Sequence, residues 1–121
     1  EHGFRPSLVC LEINKRFGNQ VIASFPYAEK QKKKLYHKFR VSGVSIAKYK
    51  KLWESYGYKF FGYDSSCVNV FFYNPSDFTT DIEKVEINAI QDFPVKDDSE
   101  MLDNINNHWY WKDKIDLIYN G

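Results

Sequence analysis

The segment Cys67-Val68-Asn69-Val70-Phe71-Phe72-Tyr73 most constrains what this chain can become. It is rich in β-branched and aromatic residues, which favour a pleated, half-buried backbone. Asn74-Pro75-Ser76-Asp77 ends it, a sequence of turn formers that stops a strand. In a strand, successive side chains point to opposite faces. Val68, Val70 and Phe72 then share one face, and Cys67, Asn69, Phe71 and Tyr73 the other. Both faces are apolar, so the strand is central between layers or has one face covered by a partner.

The rest of the chain repeats this signal. Leu8–Ile13 sets Val9, Leu11 and Ile13 against Cys10 and Glu12. Asn19–Tyr27 aligns Val21, Ala23, Phe25 and Tyr27, and Lys33–Val41 aligns Leu35, His37, Phe39 and Val41. Tyr58–Tyr63 is aromatic, Ile82–Ile90 alternates regularly, and the first half of His108–Ile118 reads as a final strand. Asp97–Asn107 is polar, a loop or one helical turn with a thin stripe of Met101, Leu102 and Ile105. About seven or eight short strands at this spacing predict a mainly β fold, a small antiparallel sandwich or partly open barrel.

One segment resists that pattern. Ile46, Tyr49, Leu52, Trp53 and Tyr56 recur at helical spacing, with Ser45 placed as an N-cap and Gly57 as a stop. This favours a helix at about 45–56, which would make the fold α+β. The rival is two short strands, Val44–Ala47 and Leu52–Ser55, around a lysine-rich turn.

The length of 121 residues suits a single domain over 1–121, with its core at about 8–118. There is no internal repeat or Gly/Ser linker. The 10 Phe, 9 Tyr and 3 Trp give an aromatic content of 18%, which argues against a disordered chain. No apolar run approaches the roughly 18 residues of a membrane span. Net charge is +1, yet residues 1–60 carry +9 and residues 61–121 carry −8. A uniformly basic nucleic-acid binder is excluded, and a local basic patch is not. Glu1 in place of an initiating methionine fits a removed leader or a piece of a longer chain.

Chemistry-bearing motifs are scarce. His2, His37 and His108 stand apart, without the spacing that puts two zinc ligands on one helix face. Asp97-Asp98-Ser99-Glu100 lacks the central glycine and register of a calcium loop. No glycine-rich phosphate loop exists. Catalytic, cofactor-binding and metal-ligating residues are therefore expected to be absent. Cys10 and Cys67 lie outside any CxxC spacing; one disulfide between them is possible, and two separate thiols are the alternative.

The prominent charge feature is Lys30-Gln31-Lys32-Lys33-Lys34, read as a solvated turn between strands or as a polyanion contact. Exposed aromatics near basic residues mark protein interfaces. The candidate interaction residues are accordingly Lys32, Lys33, Lys34, Tyr36, Lys38, Arg40, Lys50, Lys51 and Trp53.

Taken in order, Leu8-Val9-Cys10-Leu11-Glu12-Ile13, Leu52-Trp53-Glu54-Ser55, Cys67–Tyr73, Val85–Ile90 and Trp109-Tyr110-Trp111-Lys112 resemble the FAINT domain, also called DUF529, of Theileria-type piroplasm parasites. Two departures stand out: Ala47–Lys51 lacks the family's Gly- or Asn-containing turn, and the Phe93–Trp109 interval is longer. The resemblance implies a mainly β module of a secreted protein, at the parasite surface or in the host cell, with no catalytic residues to carry over. The expected function is a non-enzymatic module binding a host or parasite protein. The alternatives are a polyanion-binding domain that uses the lysine-rich turns and a small enzyme with a site assembled from scattered residues.

Overall fold

The computed structural model describes residues 4–26, 41–78 and 88–121. Among these are three strands, β1 (Leu8–Glu12), β2 (Lys59–Tyr63) and β3 (Asn69–Tyr73), and three helices, α1 (Ile46–Ser55), α2 (Ser99–Asn106) and α3 (Ile115–Asn120). The strands form one antiparallel sheet in the order β1-β3-β2. This places the strand with two apolar faces in the middle, where both of its backbone edges are paired.

The sheet's inner face carries Val9, Ile13, Val70 and Phe72, against which α1 packs Ile46, Tyr49 and Trp53. Those helix positions recur at the spacing that lines up one face. The Ser45 hydroxyl accepts the Lys48 N–H at 3.1 Å and caps the helix. At the other end Gly57, at φ 87°, donates to Glu54 while Tyr58 donates to Trp53, a Schellman closure. The chain is thereby turned straight into β2.

The β2–β3 connection is held by one carboxylate. Asp64 accepts from the Ser66 hydroxyl and the Val68 and Asn69 amides with one oxygen, and from the Asn69 side chain with the other. The Asn69 side chain foremost, helped by these amides and the hydroxyl, holds its pKa down at about 2. An irregularity between Phe60 and Gly62 inserts Phe61, whose ring meets Tyr73 edge-on at 5.9 Å on the outer face.

A second cluster forms away from the sheet. Phe17, Ala23, Val41, Met101, Ile105, Trp111 and Ile118 pack together, with Phe25 and Tyr119 against them. Backbone bonds join residues 23–25 to 43–45, and Ser24 donates to Ile118 at 3.0 Å. Gly18, at φ 81°, ends a 3-10 turn at Lys15–Phe17; a Cβ there would lie 2.9 Å from the Asp97 backbone.

Several sequence expectations are corrected here. The sandwich or barrel of seven or eight strands is replaced by a three-stranded open sheet with helices. The helix expected at about 45–56 forms over Ile46–Ser55, and the two-strand rival is absent. Residues 19–26 contribute only an isolated bridge at Ser24, because Ala23 and Phe25 turn into the helical cluster. His108–Ile118 is no strand: Lys112 donates to His108 and Lys114 to Trp111, tight turns that lead into α3. Asp97–Asn107 contains the full helix α2, with Met101 and Ile105 buried. The strands expected at Lys33–Val41 and Ile82–Ile90 fall largely outside the described residues. Of them, Val41 is buried, Asn88 bridges to Tyr63, and Ile90 begins a 3-10 turn.

Candidate interaction surface

Burial of Ile46, Tyr49 and Trp53 decides what α1 presents to solvent. Lys51, Leu52 and Ser55 face outward, and Tyr56 follows one turn after Leu52. Leu52 is 45% exposed and Tyr56 37%. Arg5 reaches across from the N-terminal segment. Its guanidinium donates to the Tyr56 carbonyl at 3.0 Å and lies 5.4 Å from the centre of the Tyr58 ring. The result is an apolar pair, Leu52 and Tyr56, with Lys51 and Arg5 as flanking cations.

The predicted residues divide clearly. Lys32, Lys33, Lys34, Tyr36, Lys38 and Arg40 lie outside the described residues. Lys51 is exposed on the surface just defined. Lys50 is tied to Glu54 at 2.7 Å, and its neighbour Lys48 donates to Ser24 Oγ at 2.6 Å. Trp53 is half-buried, with ring centroids of Tyr58 at 4.9 Å and Phe72 at 6.5 Å. It supports the surface from behind. Arg5, Leu52 and Tyr56 were missed as site residues, although Leu52 and Tyr56 carried a signal: apolar residues on the flank of an amphipathic helix.

A second exposed aromatic lies in the C-terminal segment. Trp109 is half-exposed and stacks on His108 at 5.6 Å, while Lys114 sits 4.0 Å over the Tyr110 ring. Trp111, two residues on, is buried. His108 itself is buried; its Nδ1 accepts the Tyr110 N–H at 3.1 Å, and burial pushes its pKa down.

An open cleft of about 210 Å³ is lined by Glu12, Asn14, Lys15, Ser42, Gly43 and Cys67, among others. A cysteine nucleophile needs a base within hydrogen-bond reach, and among the described residues no histidine lines this cleft. Asn14 is already engaged, donating to the Ser42 carbonyl at 2.8 Å and accepting from the Arg16 amide at 3.1 Å. Among the described residues no group of three or more His, Cys, Asp or Glu side chains could hold a metal ion. The acidic stretch is engaged in contacts of its own: Asp97 accepts from the Ser99 amide, Asp98 from the Tyr119 hydroxyl, and Glu100 pairs with Arg16 at 3.0 Å.

The proposed disulfide is not formed. Cys10 is exposed on β1 and pairs in register with Phe71, four residues beyond the buried Cys67. At roughly 3.3 Å per residue the thiols are about 13 Å apart along the sheet, beyond bridging reach.

Comparison of the chain with protein-family models, with characterised proteins and with solved structures finds no match. Of the FAINT-like segments, Leu8–Ile13 supplies β1 and Cys67–Tyr73 supplies β3. Leu52-Trp53-Glu54-Ser55 forms the last turn of α1, and Trp109-Tyr110-Trp111-Lys112 lies in turns. Among the described residues no helix is long and apolar enough to cross a membrane.

Proposed function

We propose that this chain is a non-enzymatic protein-interaction module that docks a partner protein on the outer face of α1. The observation that carries the reading is the pairing of two exposed apolar side chains, Leu52 and Tyr56, with Arg5 and Lys51 beside them. They stand on a helix fixed to the sheet by Ile46 and Trp53. Apolar anchors rimmed by charge are the composition of protein interfaces. The complementary partner surface is apolar at its centre and acidic at its rim. The FAINT resemblance supplies the setting proposed for it, a secreted parasite protein that meets a host or parasite protein.

The test is capture from host-cell lysate, read by mass spectrometry, with the native chain and with Leu52→Asp/Tyr56→Ala. A partner held by the native chain and released by the variant, with circular dichroism unchanged, supports the reading. A partner held equally by both places the contact elsewhere and rejects it.

A further inference from the structure

Among the described residues, the outer edge of β1 offers hydrogen-bonding groups that are left open. Asn74 donates to the Ser7 carbonyl and Ile13 donates to the Val68 carbonyl, so the odd-numbered residues of this strand are the ones bonded to β3. By the alternation of an antiparallel ladder, the N–H and C=O groups of Leu8, Cys10 and Glu12 point away from β3. Among the described residues nothing bonds to them. The next outward group, the Asn14 N–H, is already taken by the Val44 carbonyl at 2.9 Å. On the other side Pro6 has no N–H to give. The open stretch thus runs from Leu8 to Glu12 and is centred on Cys10. Natural edges are usually blunted by lysine, proline or a bulge. Between Leu8 and Glu12 there is no lysine, proline or bulge.

We infer that two copies of this chain associate through this edge, β1 against β1 in antiparallel register about a two-fold axis at Cys10. Three features favour a second copy as occupant. An antiparallel pair centred on Cys10 uses every open group from Leu8 to Glu12 in both copies. In this register Glu12 opposes the partner's Leu8, so no like charges meet. Moving the axis two residues to Glu12, a register slip of four, would set the two carboxylates face to face, which is destabilising. On the inner face Val9 opposes the partner's Leu11, extending the apolar layer from one sheet into the next. A five-residue edge buries far less than the roughly 1,200 Å² of a stable interface, so this dimer is of the transient class. It does not involve the α1 surface.

Cys10 makes the inference testable. Directly opposed residues of a hydrogen-bonded antiparallel pair have Cα atoms about 5.5 Å apart, within the range a disulfide spans. Diamide joins two such thiols by accepting their two electrons and two protons, becoming the hydrazine. The experiment combines sedimentation equilibrium from roughly 10 µM to 1 mM with diamide trapping, on the native chain, Cys10→Ser, Cys67→Ser and Cys10→Arg. The expected result is a concentration-dependent dimer. It is trapped in the native chain and Cys67→Ser, preserved but untrapped in Cys10→Ser, and weakened about tenfold or more in Cys10→Arg, where two cations meet at the axis. Cys10 is exposed, so Cys10→Ser and Cys10→Arg should retain the native circular dichroism. A monomer throughout the range overturns the inference. So does a dimer indifferent to Cys10→Arg, or one that traps no disulfide.

Discussion

The two hydrophobic clusters of this molecule are built on different principles. The sheet cluster is organised by backbone: three strands joined by ladders, with one tight hairpin between β2 and β3 and α1 running directly into β2. The helical cluster is organised by side chains, which it gathers from Phe17, Ala23 and Val41 in the first half of the chain and from Met101 to Ile118 in the second. Among the described residues the backbone bonds across it are few, mainly the pairing of 23–25 with 43–45 and the Ser24–Ile118 bond. Ladders survive the loss of one side chain better than a cluster of distant segments does. The sheet should therefore be the last part to open and the helical cluster the first.

The largest effects test this ordering. Phe72 is fully buried at the centre of the sheet, and Phe72→Ala should cost about 3–5 kcal/mol in urea unfolding and move every probe together. Trp111→Ala should cost about 3–4 kcal/mol, but amide exchange should quicken at Met101 and Ile105 well before Val70 and Phe72. Equal acceleration at all four would show one cooperative unit and remove the distinction.

Ser45 joins the two regions. Its buried hydroxyl accepts from the Ala23 amide at 3.0 Å as well as from Lys48. Ser45→Ala leaves the Ala23 N–H without its acceptor and uncaps α1, an expected loss of about 2 kcal/mol by chemical denaturation. An effect confined to α1, with exchange at Ala23 unchanged, would mean that the hydroxyl is only a cap.

Acid should act on the helical side before the sheet. Burial holds the His108 pKa below its ordinary value of 6.5, so the unfolded state binds more protons in the window beneath 6.5. Stability should be level above that pH, fall as the pH drops through it, and flatten below the folded pKa. In His108→Gln this slope should vanish from urea titrations between pH 8 and 5. The smallest expected effect is on the hairpin. Asp64 contributes its stabilisation above the ordinary carboxylate value of 3.8 and loses it as the pH falls through about 2. Asp64→Asn at pH 7 should chiefly quicken exchange of the Val68 and Asn69 amides.

The same contrast explains what could be read from the amino acids. Leu8–Glu12, Lys59–Tyr63 and Asn69–Tyr73 announce themselves because alternation and turn residues are local signals. The helix 45–56 was visible through its cap and stop. What misled was the assumption that every apolar run joins a sheet. Val21, Ala23 and Phe25 alternate like a strand yet serve the helical cluster, and Trp109 and Trp111 alternate within turns. Tertiary packing overrides local pattern there, and no short window contains the partner. Of the candidate interaction residues, Lys51 is exposed on α1 and Trp53 is half-buried beneath it, whereas Arg5 reaches this face through an interaction with Tyr56 fifty-one positions away that no local pattern announces.

Gly18 carries a consequence for how this chain can vary. A side chain there would need a left-handed backbone and would collide with the Asp97 main chain, which has no rotamer with which to retreat. Gly57 has the same sign of φ, but nothing lies within 4 Å of its would-be Cβ. In a library covering every substitution, position 57 should admit asparagine, which tolerates that backbone, while position 18 stays empty of all but glycine. Two residues that look interchangeable in the sequence thus answer to different constraints, one to the local turn and the other to a segment some eighty residues distant.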